Sequence, residues 1–174
     1  MITTVDVFNQ TVIVSIPFRG KQTNVRVQLR KKPDWVGFWA HWVGFWIWLV
    51  GIFSPLLKRN FLYNYTTTIK GVAYVAVGKN TISIKILRHE AIHVLQSEVE
   101  GWYKHSLKYF FSKKWKYLYE KEAYGLGIIE TTDDNSYKKE IIRVAEALTK
   151  EGGYMLGKDY KDVYHDLLES FPRP

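Results

Sequence analysis

The chain contains no cysteine among its 174 residues. That excludes disulfides and thiolate metal ligands, but it does not separate a reducing cytosol from an exterior location. Carboxylates are also scarce: 17 Asp and Glu face 25 Lys and Arg, for a formal charge of +8. Such a surplus suits acidic partners such as anionic lipid, cell-wall polymers or nucleic acid. A secretory leader is missing from the start, where Met1 to Val14 alternates and carries Asp6 in place of a charged start followed by an apolar stretch, so no cleavable signal peptide is expected. A hydrophobic content of 47% is enough for one sizeable core, which makes one domain with an appended element the economical organisation.

Charge is absent altogether from Trp35 to Leu57, a run bounded by Arg30-Lys31-Lys32 and Lys58-Arg59. The run repeats in three heptads, Trp35 to His41, Trp42 to Trp48 and Leu49 to Pro55, with Gly37, Gly44 and Gly51 in register. On a helix those glycines form one stripe where another helix can approach closely. The run is long enough to span a bilayer, for which about 20 apolar residues are needed. Its tryptophans Trp39, Trp42, Trp46 and Trp48 fall along the middle, however, where a span rarely places them, and His41 lies inside too. The expectation is a Trp-rich helix that contacts a membrane or is buried in an oligomer.

Against these absences stands one motif that carries chemistry, His89-Glu90-Ala91-Ile92-His93. Residues four apart stand one above the other on a helix, so the two imidazoles can grip one Zn²⁺ while Glu90 leans toward a water at the metal. The context is helical: Ile84, Leu87, Ala91, Val94 and Leu95 keep a helical period, with Ser83 as N-cap and Gly101 as stop.

A catalytic zinc takes three protein ligands and leaves a position for water. The three-histidine extension of the motif requires a histidine at position 99, and Val99 stands there. Glu120 and Glu122, on a later helical stretch, are the carboxylate candidates, with Glu120 preferred and Glu122 the fallback because a two-residue shift turns a side chain to another face. His105 remains as a further possibility. Gln96 is two turns beyond His89 on the same face, either holding a ligand or substrate or lying on the helix surface.

The HExxHxxQ helix followed by Glu120-Lys121-Glu122-Ala123 resembles small bacterial and phage zincin-like metallopeptidase domains, over about residues 61 to 130. In zincins whose third ligand is a glutamate, that residue sits on a second helix and often opens an E-x-x-A pattern, which Glu120 to Ala123 fits. The resemblance implies a zinc protease acting on a peptide or protein substrate. Zinc on His89, His93 and Glu120 would then lower the pKa of a water, and Glu90 would take its proton as it attacks a peptide carbonyl. The developing oxyanion would be met by a donor among Tyr119, Tyr124 and His105, which the sequence does not separate.

The lysines from Lys104 to Lys121 are interleaved with rings from Tyr103 to Tyr119. Cations and stacking rings together bind single strands, but an amphipathic helix resting on a core has the same mixture, and that reading is preferred to nucleic-acid binding. Alternation at Thr3 to Phe8, Thr11 to Phe18 and Gln22 to Leu29 predicts a three-stranded meander. Two more strands, Leu62 to Ile69 and Val72 to Val77, lead to helices at about 83–100, 103–113, 116–129, 137–150 and 160–170. The last two carry core stripes at Ile141, Val144, Ala145 and Leu148, and at Tyr160, Val163, Tyr164, Leu167 and Leu168.

The fold expected is an α+β, zincin-like domain: a small sheet backs the HExxH helix and C-terminal helices, with the Trp-rich hydrophobic helix inserted. It divides into an N-terminal β segment at 1–34, the Trp-rich element at 35–57 and a metallopeptidase domain at 61–174. The alternative function is a non-catalytic structural component of a virion or membrane-bound complex that keeps a zincin fold. Either way a membrane-associated or assembly-bound location is favoured.

Overall fold

The computed structural model describes residues 4–7, 10–32, 66–149 and 156–173. The Trp-rich element at 35–57, with its glycine stripe and its membrane or oligomer role, lies outside the described residues, as do residues 62–65 of the strand expected from Leu62. Among the described residues the fold is mixed α+β, with six strands in two small sheets and five helices. No helix among them is long and apolar enough to cross a membrane. The chain divides into two compact units, Met1–Val94 and Leu95–Pro174.

In the first unit the strands are β1 (Thr4–Asp6), β2 (Thr11–Phe18), β3 (Lys21–Lys31), β4 (Thr67–Ile69), β5 (Val72–Val75) and β6 (Thr81–Ser83). Strands β2 and β3 form an antiparallel hairpin in which Val14 faces Val25 and Val12 faces Val27. Its tight turn places Arg19 and Gly20 at positive φ, 48° and 79°. Two such residues match the right-handed twist of the strands they join, and glycine takes the conformation without steric cost. Lys70 and Gly71 repeat the device between β4 and β5, at 50° and 76°. Alternation puts Val14, Ile16, Val25, Val27 and Leu29 in the interior.

The expected meander is wrong in one strand. β1 does not join the hairpin; it pairs antiparallel with β6, with Val5 opposite Ile82. The larger sheet runs in the order β2-β3-β5-β4, and β3 pairs parallel with β5, Leu29 beside Ala73. Alternation identifies a strand's buried face but not its neighbour, and these two pairings join segments far apart in the chain.

The helices are α1 (Ile84–Glu100), α2 (Trp102–Phe111), α3 (Lys113–Ile129), α4 (Asp134–Leu148) and α5 (Tyr160–Ser170). Their local chemistry accounts for their ends. The Ser83 hydroxyl accepts the Ile86 N–H at 3.2 Å at the start of α1, and Gly101, with φ 84°, stops it. Asp133 and Asp159 cap α4 and α5 by accepting the N–H groups of Ser136 and Lys161 at 2.9 and 2.8 Å.

The second unit has its own core, in which Ile141, Val144, Ala145 and Leu148 of α4 meet Val163 and Leu167 of α5 and Ile128 of α3. These are the stripes expected from the sequence, except at Tyr160. That ring is exposed and lies against Tyr164, with centroids 6.0 Å apart. Asp166 accepts hydrogen bonds from Tyr117 and from Lys121, the latter at 3.0 Å, tying α5 to α3. His165 beside it is exposed.

Gly125, inside α3, costs helix stability relative to alanine. Its compensation is Phe171, whose ring occupies the space a Cβ would fill. Phe171 cannot easily withdraw, because Tyr137 donates to its carbonyl at 2.9 Å and its own N–H bonds to Leu167 at 3.0 Å. Gly125→Val is therefore expected to lower stability by about 1–3 kcal/mol through overpacking, read as a lower denaturant midpoint at unchanged slope.

Candidate metal centre

The HExxH motif lies within α1, as its spacing requires. His89 and His93 turn toward each other across one turn, with Nε2 atoms 3.2 Å apart and ring centroids 4.9 Å apart at 78°. The buried Leu87, Ala91 and Val94 fix the helix through its apolar positions. His93 is buried and His89 half-buried.

Glu120 of α3 completes a group of three. One ligand atom from each of His89, His93 and Glu120 lies within 4.8 Å of the others, and this is the one such cluster among the described residues. Glu120 is only 1% exposed, and the phenol of Tyr109, on α2, donates to its Oε1. A buried carboxylate is costly unless hydrogen-bonded, and Tyr109 also fixes which way it points. Glu122 lies outside the cluster and accepts a hydrogen bond from Gln96 Nε2 at 2.9 Å. The same amide donates to the Tyr119 carbonyl at 3.0 Å, so the fully buried Gln96 fixes the register of α3 by its backbone.

The remaining sequence candidates have other engagements. The Tyr119 hydroxyl donates to Glu100 at 2.6 Å, and Lys108 reaches the same carboxylate at 2.8 Å. His105 is buried with its ring 4.5 Å from that of Tyr119 and 6.1 Å from that of Tyr109, centroid to centroid. Tyr124 lies under the Arg143 guanidinium, 5.3 Å from it.

Glu90 is buried, and the Thr68 hydroxyl of β4 donates to its Oε2 at 2.7 Å. Beside it is a residue that sequence reading passed over as part of a basic flank. Lys32 is 4% exposed, with Nζ 3.1 Å from the Thr67 hydroxyl. Burial pulls its ammonium down to about 7, a fall that the negative charge of Glu90 opposes. No local signal marks Lys32, Thr68 or Tyr109, since each reaches the site through strand pairing or helix packing. The nearest clue to Lys32 is that it follows β3 directly, its N–H bonding to Val75 at 2.9 Å.

This lysine has a consequence for stability. Between pH 7 and its ordinary value of 10.5 the unfolded chain binds a proton that the folded chain does not, so stability rises with pH through that window. In Lys32→Met the rise should flatten by up to about 1.4 kcal/mol per pH unit, measured as denaturant midpoints between neutral and alkaline pH.

No family model, curated protein or solved structure matches the chain. The reading of the cluster therefore rests on its donors. Two imidazole nitrogens at about 2.0–2.1 Å from a tetrahedral ion stand about 3.3 Å apart. The Nε2 separation of 3.2 Å meets that requirement before any ion is considered. Imidazole with carboxylate, and no thiolate, is a donor set fit for a divalent metal ion.

Proposed function

We propose that the chain is a zinc-dependent metallopeptidase of zincin-like type, with His89, His93 and Glu120 as ligands and Glu90 as general base. The observation that carries the reading is the convergence of two histidine nitrogens and one buried carboxylate at a helix bearing HExxH, with a second buried carboxylate one residue on. Zinc is favoured over harder ions because two of the three donors are imidazoles. When bound, the ion supplies Lewis acidity, bringing the pKa of a water toward neutrality and polarising a carbonyl.

The chain's own residues then have separate tasks. Glu90 takes the proton of the attacking water and returns it to the leaving amine, so its carboxylate must be ionised and aimed at the start of the cycle. Thr68 supplies the aim by donating to one oxygen at 2.7 Å. Tyr109 orients Glu120, and Gln96 holds the α3 backbone beside it. The test is hydrolysis of an unfolded protein such as reduced, denatured casein: activity should vanish with 1,10-phenanthroline and return with zinc. Failure of the zinc-loaded protein to cleave any unfolded substrate would sink the enzymatic reading while leaving metal binding open.

A second reading keeps the metal centre and drops the chemistry. The heptad glycines Gly37, Gly44 and Gly51 favour it, because they suit close helix association in a virion or membrane-bound assembly. A soluble, active monomer in both buffer and detergent would argue against it.

A further inference from the structure

Helix α2 is built inside out. Its apolar side chains at Tyr103, Leu107, Phe110 and Phe111 follow the i, i+4, i+7, i+8 spacing of a core-facing stripe, yet Tyr103 is 69%, Phe110 62% and Phe111 81% exposed. The opposite side, not the stripe, is turned inward: His105 is buried and Tyr109 donates to Glu120. The sequence expectation that the rings rest on a core holds for Tyr117 and Tyr119 of α3 and fails for Tyr103, Phe110 and Phe111 of α2. A contiguous apolar stripe of this kind is rarely left facing water without use.

Charge decides what would cover it. From Gly101 to Tyr119 there is no Asp or Glu and there are five lysines, of which Lys104, Lys113 and Lys114 are exposed. Lys108, also in this stretch, lies over the Trp115 ring at 3.8 Å. Exposed Phe, Leu and Tyr flanked by lysines, with the adjoining Glu100 carboxylate paired to Lys108 at 2.8 Å, is the composition of a helix that lies in the plane of a lipid interface. Lysines near such a surface each add attraction to anionic headgroups. We propose that α2 is a membrane-docking helix that seats Tyr103, Leu107, Phe110 and Phe111 in the headgroup region of an anionic bilayer, with Lys104, Lys113 and Lys114 contacting the phosphates.

The absence of cysteine permits a direct test, because Phe111→Cys carries a single environment-sensitive fluorophore in the full chain. Vesicles of phosphatidylglycerol and phosphatidylcholine should shift its emission to the blue, vesicles of phosphatidylcholine alone should do so weakly, and high salt should reverse much of the effect. Phe110→Ser with Leu107→Ser in the unlabelled chain should weaken co-sedimentation with anionic vesicles on the order of tenfold, as should Lys113→Glu with Lys114→Glu. Circular dichroism verifies that the variants fold. Three results would each overturn the proposal: co-sedimentation unchanged in both pairs, which would assign binding to other segments; a concentration-dependent blue shift in buffer alone, which would mean a second copy covers the face; or a shift with single-stranded nucleic acid and none with vesicles.

Discussion

Glu90→Gln is expected to lower peptide hydrolysis by about 10²–10⁴-fold while the protein still binds one zinc per chain. The substitution preserves shape and leaves the Thr68 hydroxyl an oxygen to donate to, at the oxygen it meets now at 2.7 Å. What it removes is the basic oxygen and one negative charge. Neither His89, His93 nor Glu120 is altered, so metal content has no reason to fall. Loss of the charge also removes the influence opposing the burial of Lys32, whose ammonium should move further below its present value of about 7. Turnover and metal content thus separate a base from a ligand. Equal loss of both would place Glu90 among the ligands, and unchanged turnover would remove it from the chemistry.

Glu120→Ala should have the opposite signature, losing the metal first and activity only as a result. Deleting one of three protein ligands is expected to weaken zinc binding by more than the roughly 10–100-fold that loss of a partner behind a ligand costs. Tyr109→Phe provides that comparison within the same protein, because it removes only the hydroxyl that donates to Glu120. Glu122→Ala supplies the other control: it takes away an acceptor of Gln96 and should change zinc affinity little. The predicted order of zinc affinity is wild type close to Glu122→Ala, then Tyr109→Phe, then Glu120→Ala, read by competition with a chromogenic chelator. If Glu122→Ala proves the weakest, the assignment of the third ligand is reversed.

The parts of this arrangement that could be read from sequence are those set by local spacing. His89 and His93 converge because four residues make about one helical turn, and Ser83 and Gly101 mark the helix by capping chemistry that needs no distant partner. The stripes on α4 and α5 are local for the same reason. Strand pairing is not: the alternation in β1 was legible, but its partner β6 lies far along the chain, and nothing in a period of two names a neighbour. Lys32 and Thr68 come to Glu90 through β3 and β4, the outer members of a β3-β5-β4 arrangement, so they too were hidden. In α2 the mixture of rings and lysines was visible, but which side of the helix faced water was not, and that depends on which residues α3 covers.

The proton of Glu90 and the lipid contact of α2 both matter less to the account than whether the three side chains hold an ion. X-ray absorption at the zinc edge on protein loaded with one equivalent of zinc tests this directly. The account predicts near-stoichiometric uptake and a four-coordinate spectrum with two imidazole ligands and oxygen in the remaining positions, changing when Glu120 is replaced by alanine. No uptake by the folded wild-type chain, or a wild-type spectrum that the Glu120→Ala variant reproduces unchanged, would contradict it.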